Sequence, residues 1–231
     1  LESDSSVDPK IAFRYQASDE LALRASFSTS FREASLAQLT STNISLQGIQ
    51  DYNADGSAKG GNAFIRIAQA NNPNLAPEES ENMNIGAMWN PTDKLSMKLD
   101  YWAIDYTNVI TIESAQGKVA ATPFDSDVKR TAGGTLTGVT TKYFNAANVN
   151  TSGLDFESTY DFDTSFGQAQ VGVNMMHMFE YEIPVGNTTK DVVGLFNHDN
   201  FARSLPDTKA VFHAALNSGQ NSLSLFGRYT G

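Results

Sequence analysis

The residues best suited to chemistry in this chain are hard oxygen donors. Asp51-Tyr52-Asn53-Ala54-Asp55-Gly56 follows D-x-[DN]-x-[DN]-G, the first half of a calcium loop. Oxygens at alternate positions and a glycine for the sharp turn suit Ca²⁺, so Asp51, Asn53 and Asp55 are candidate ligands for an ion that would order a loop. Lys59 and Asn62 stand where the later ligands of such a loop would be, and an Asx-rich turn accounts for the same residues. The histidines His177, His198 and His213 show neither H-E-x-x-H nor H-x-x-x-H spacing, so they do not form a zinc motif. No G-x-S-x-G elbow is present, and Gly60-Gly61 and Gly133-Gly134 lack the Lys-Ser/Thr of a phosphate loop. Carboxylates such as Asp155 and Glu157 lie two apart on one strand face, as expected of a wet wall rather than an acid/base pair. The chain reads as no enzyme.

Ligand recognition fits the residues better. Tyr52, Asn62, Phe64 and Arg66 in one irregular stretch, and Phe196, His198 and Arg203 in another, combine aromatic and polar groups of the kind a binding site uses. The net charge is −10, from 26 acidic and 16 basic residues, and no basic stripe appears, which argues against nucleic acid. There are no cysteines, so disulfides and thiolate metal sites are excluded.

The elements that must carry these loops are strands. Met83, Ile85, Ala87 and Trp89 alternate with polar or small residues, and after a short turn Leu95, Met97, Leu99 and Tyr101 do the same. Comparable hairpins are expected over residues 10–28, 80–106, 152–181 and 209–230, joined by long loops over 31–78, 108–150 and 182–206. A short strand is also expected from Leu136 to Phe144. The order is short turn, long loop, repeated. That asymmetry is the signature of an outer-membrane barrel, whose periplasmic turns are short and extracellular loops long. About eight strands of roughly 8–12 residues would cross the ~25 Å apolar band. Tyr15, Trp89 and Phe162 near the turns, and Phe27, Tyr101, Phe179, Tyr181 and Tyr229 near the loops, would form two aromatic girdles facing lipid. Arg14, Arg24, Lys98, Asp100, Asp155 and Glu157 on the opposite parity would line a wet lumen.

Several stretches resemble one family. Phe31-Arg32-Glu33-Ala34-Ser35-Leu36 resembles the FR-x-P-S-L element of TonB-dependent outer-membrane receptors, with Ala34 in place of the proline. Asn72-Pro73-Asn74-Leu75-Ala76-Pro77-Glu78-Glu79-Ser80, running on to Ile85-Gly86, resembles that family's NP-x-L-x-PE-x-S approach to a barrel strand. Ser152-Gly153-Leu154-Asp155 and Gly227-Arg228-Tyr229 resemble its later strands. The resemblance implies an all-β fold of antiparallel up-and-down hairpins, part of a roughly 22-stranded transmembrane β-barrel with a plugged lumen. It also implies residence in the Gram-negative outer membrane, contact with outer-membrane lipid, and uptake of a scarce small-molecule nutrient such as a ferric siderophore, cobalamin or an oligosaccharide. TonB would supply the energy through a plug that this sequence lacks, so the chain is expected to be one piece of a larger barrel and to self-associate when isolated. A passive porin or adhesin barrel, and a soluble β-sandwich that binds carbohydrate, are the alternatives.

Overall fold

The structure, a computed structural model, describes residues 7–146, 148–185, 188–195 and 205–231. The first hairpin is β1 (Lys10–Gln16) and β2 (Leu21–Arg32). A short helix α1 (Leu36–Thr40) then leads into β3 (Asn43–Tyr52) and β4 (Ala58–Ala70). The second hairpin is β5 (Glu78–Thr92) and β6 (Leu95–Thr107). After it come β7 (Ile110–Ile112), α2 (Ala115–Ala121), β8 (Val128–Arg130) and β9 (Leu136–Asn145). The third hairpin, β10 (Val149–Thr164) and β11 (Gly167–Val185), is extended by β12 (Thr188–Asp191), which folds back on β11. The last is β13 (Thr208–Ser218) with β14 (Asn221–Thr230).

The four hairpins join edge to edge in one antiparallel meander, β1-β2-β5-β6-β10-β11-β13-β14, which does not close on itself. The ladders confirm the parity read from sequence. Phe27 pairs with Met83, Ala25 with Ile85, Leu99 with Ala87 and with Phe156, and Val173 with Phe212, so apolar residues share one face. On that face Ile11 and Phe13 remain 71% and 63% exposed, so it does not pack against any described part of the chain. Arg24, Asp100, Lys98 and Glu157 fall on the other face. Every short turn is at one end of the sheet and every long connection at the other.

The long connections are not irregular. The first and second fold together into a separate sheet, β3-β4-β9-β7 with β8 beside β9. β4 runs parallel to β9, tying one connection to the next. Ile49, Ile65, Ile67, Val128, Leu136 and Val139 pack with Ala115 and Val119 of α2, and this is the buried core of the molecule. The four-residue spacing of Ala115 and Val119 puts both on one helix face, and Ser114 caps the helix by accepting from the Gly117 N–H. The strand expected from Leu136 to Phe144 is β9. β3 and β4 carry no clean sequence period because both of their faces hold apolar residues. Ile44, Leu46 and Phe64 lie on one side, and Ile49, Ile65 and Ile67 on the other. The barrel strands β5, β10 and β11 are also longer than the apolar band requires, at 15, 16 and 19 residues, and run on into the connections.

Candidate functional site

Where the meander meets the loop sheet there is an open cavity of about 530 Å³. Arg32, Glu78, Tyr106, Ile110, Thr151 and Tyr181 line it. The ladders place Arg32 opposite Glu78, Ser80 opposite Tyr106, and Thr151 opposite Tyr181, all on the parity of the polar wall. The Arg32 guanidinium donates to the Glu78 carboxylate, whose other oxygen accepts the Ile110 N–H at 2.7 Å. Glu78 therefore fixes β7 to the rim. Tyr106 and Tyr181 are 37% and 36% exposed, so two phenol rings border a site with a salt bridge beneath it. Such a lining can stack on a flat ligand and exchange hydrogen bonds with its edge.

Tyr181 departs from the sequence expectation, which put it in the lipid-facing girdle. Below the bulge Leu154 pairs with His177 and Gly153 with Met178; above it Ser152 pairs with Glu180 and Thr151 with Tyr181. The extra residue, Phe179, breaks the two-residue period, so Tyr181 turns inward. Phe179 stays with the girdle, its ring 6.2 Å from Tyr101 and 5.0 Å from His177. His177 is on the apolar parity, with Nδ1 2.8 Å from the Thr208 hydroxyl. His213 is on the wet side, opposite Gly172.

The candidates of the first long connection all fall in β3, β4 and their turn. Asn62, Phe64 and Arg66 share one exposed face of the loop sheet, while Tyr52 packs against its core. None of the four lines the rim cavity. Phe196, His198 and Arg203 lie outside the described residues. Of the calcium candidates, Asp51 is buried and its carboxylate takes a bidentate pair from Arg130 at 2.5 and 2.9 Å, with Lys59 Nζ at 2.9 Å. Arg130 lowers its pKa, burial opposes that, and Lys59 adds to the lowering. The hydrogen bonds from Arg130 dominate and hold it far below the usual carboxylate value. Asp55 accepts from the Ser57 N–H and hydroxyl, and Asn53 Nδ2 donates to Ser57 Oγ at 3.0 Å. An ion here would have to displace two cations from Asp51. Among the described residues no cluster of three or more metal-binding side chains is present.

The rim residues Tyr106, Tyr181 and Arg32 were not singled out as ligand contacts from sequence. Arg32 and Glu78 did stand in the quoted motifs, and their meeting across 46 positions gives those motifs a physical role.

A family model described as TonB dependent receptor-like, beta-barrel, matches residues 2–230. The chain belongs to this family. Among solved structures, a mutant ferric enterobactin receptor from Pseudomonas aeruginosa in complex with enterobactin superposes with a TM-score of 0.64 at 16% identity. That match covers 97% of this chain and 28% of the other. The siderophore receptor PirA from Acinetobacter baumannii gives 0.57 at 13% identity, covering 97% and 29%. The copper transporter OprC gives 0.53 at 14% identity, covering 96% and 26%. At these identities the likeness is one of fold, and the chain spans under a third of each of those chains. No curated protein matches it. The open meander is thus an arc of a TonB-dependent receptor barrel, a family of transport receptors rather than enzymes. No described helix is long and apolar enough to cross a membrane.

Proposed function

We propose that this chain forms part of the wall of a Gram-negative outer-membrane receptor that imports a scarce nutrient, with a ferric siderophore as the leading class, through coupling to TonB. The observation that supports this reading most is the position of the rim cavity. It opens on the polar face at the end where every long connection emerges, which in this family's barrel is the outer mouth of the lumen. Tyr106 and Tyr181 would border the ligand, and the Arg32–Glu78 pair would hold the loop sheet over it. The siderophore class draws support from the neighbours, two of which are named as siderophore or ferric enterobactin receptors.

The test is uptake of labelled ferric chelate by cells that carry the whole receptor. Tyr106→Ala with Tyr181→Ala is expected to weaken binding at least about tenfold, on the scale of one lost aromatic contact each. Uptake is expected to vanish without TonB while binding survives. A passive pore would instead conduct ions in a planar bilayer and transport equally in both strains, and that result would overturn the proposal.

A further inference from the structure

The charge of the rim cavity is one-sided. Its lining carries three carboxylates, Glu78, Glu79 and Glu182, and one guanidinium, Arg32, which is the only cation there among the described residues. Arg32 is already engaged by Glu78. Glu182 is held at the rim by neutral donors alone: Oε2 accepts the Asn150 N–H at 2.8 Å and Oε1 accepts the Thr189 hydroxyl at 2.7 Å. Glu79 is exposed, and no ion pair among the described residues engages it or Glu182.

The strands around the cavity repeat the pattern. The ladders set Glu182 directly opposite Asp191 of β12, and Glu81 directly opposite Asp105. The rung through the second pair runs Thr29, Glu81, Asp105, Asn150 and holds no cation. Among the described residues no ion pair offsets Asp191, Glu81 or Asp105. Like charges directly opposite one another destabilise a sheet, so the pairing of these strands does not account for them. Carboxylates gathered along a cleft focus a negative field at its mouth. The rest of the lining is mostly apolar, with Val109, Ile110, Val149, Ile183 and Pro184 beside the two tyrosines. The ring faces of Tyr106 and Tyr181 add a further attraction for a cation.

We propose that the nutrient taken at this rim is an iron(III) chelate without net negative charge, of the tris-hydroxamate type, and best of all one with a pendant ammonium. Three hydroxamates cancel the charge of Fe³⁺, and the methylene linkers between them suit the apolar wall. A pendant ammonium makes the whole chelate a cation. Three catecholates instead leave Fe³⁺ in a trianion, which would meet these carboxylates with the one guanidinium already paired. The inference rests on the siderophore reading above and narrows it to one charge class.

Its test is calorimetric titration of the whole receptor in detergent with three ferric chelates. They are a linear tris-hydroxamate bearing an ammonium, the same chelate with that amine acetylated, and a tris-catecholate. The cation is expected to bind at least about tenfold more tightly than the trianion at low salt, with the acetylated form between them, and the gap should narrow at high salt. Glu79→Gln and Glu182→Gln, made separately, should each narrow the gap too, tightening the trianion and weakening the cation. Glu79 is the safer of the two for the fold, being exposed and in no ion pair. A trianion bound as tightly as the cation would overturn the inference. So would a preference for the hydroxamates that neither salt nor the two substitutions change, because that marks shape and not charge. A folded receptor that binds none of the three chelates would overturn the siderophore reading itself, and this narrowing of it as well.

Discussion

Asp51 and Arg130 sit 79 positions apart, in different long connections, and meet in the interior of the loop sheet. Their side chains are 11% and 9% exposed, so removing Arg130 leaves a carboxylate held away from water with Lys59 as its one cation. Arg130→Ala should destabilise the loop sheet by roughly 3 kcal/mol, and hydrogen exchange should show β3, β4 and β9 opening together while the meander stays protected. The pH dependence follows from the depressed Asp51 pKa. The pair's contribution is whole above the unfolded carboxylate value of about 3.9 and declines only as pH falls below it toward the folded value. The protection factors of β3 and β9, with the intrinsic pH dependence of exchange divided out, should therefore be unchanged between pH 7 and pH 5. Sequence alone offered Asp51 as a candidate calcium ligand, beside an Asx-rich turn, because its local spacing was visible and its cationic partner was not. Long-range pairing of this kind leaves no periodic trace. Arg32 and Glu78 were in view as motif residues for the opposite reason, since each lies at a strand boundary.

Among the elements, the meander and β9 were legible and the rest of the loop sheet was not, and for β3 and β4 the difference is how many faces carry apolar residues. A barrel strand has one wet side and one oily side, so its alternation is clean. β3 and β4 have oily residues on both sides, and the period cancels. The bulge at Phe179 hid Tyr181 for a related reason, because a single extra residue reverses every later assignment. The wet wall also holds a device that only coordinates reveal. Gly86 lies between Arg24 and Asp100 in the ladder, and the Asp100 side chain passes over it to reach Arg24. A Cβ at Gly86 would be 1.9 Å from Asp100 Oδ1. Trp102 lies over Gly153 and His213 over Gly172 in the same manner, with contacts of 2.6 and 2.1 Å to the would-be Cβ atoms. Gly86→Ala should break the Arg24–Asp100 pair and cost about 1–3 kcal/mol, read as a lower melting temperature of the detergent-folded protein. An equally stable variant would mean that Asp100 has another partner to turn to.

At the scale of the molecule, the unclosed sheet decides how this chain behaves on its own. β1 and β14 each have one neighbour only, and every residue of both strands is exposed. Their free N–H and C=O groups form two unsatisfied rows that detergent does not hydrogen-bond, so pairing with another copy satisfies them at little cost. The outward apolar face adds a second drive, but detergent covers that face and leaves the edges. The isolated 231-residue chain should therefore self-associate in detergent, β1 of one copy against β14 of the next. The absence of native cysteine makes the contact directly readable. Single cysteines placed along β1, such as Phe13→Cys, and along β14, such as Leu225→Cys, should form disulfides between copies when mixed, because edge pairing brings Cβ atoms within about 4.5 Å. Leu99→Cys, in the middle of the sheet, should not. A monomer by light scattering at tens of micromolar would contradict the edge argument. Cross-links through Leu99→Cys would show instead that the apolar faces, and not the strand edges, hold the copies together.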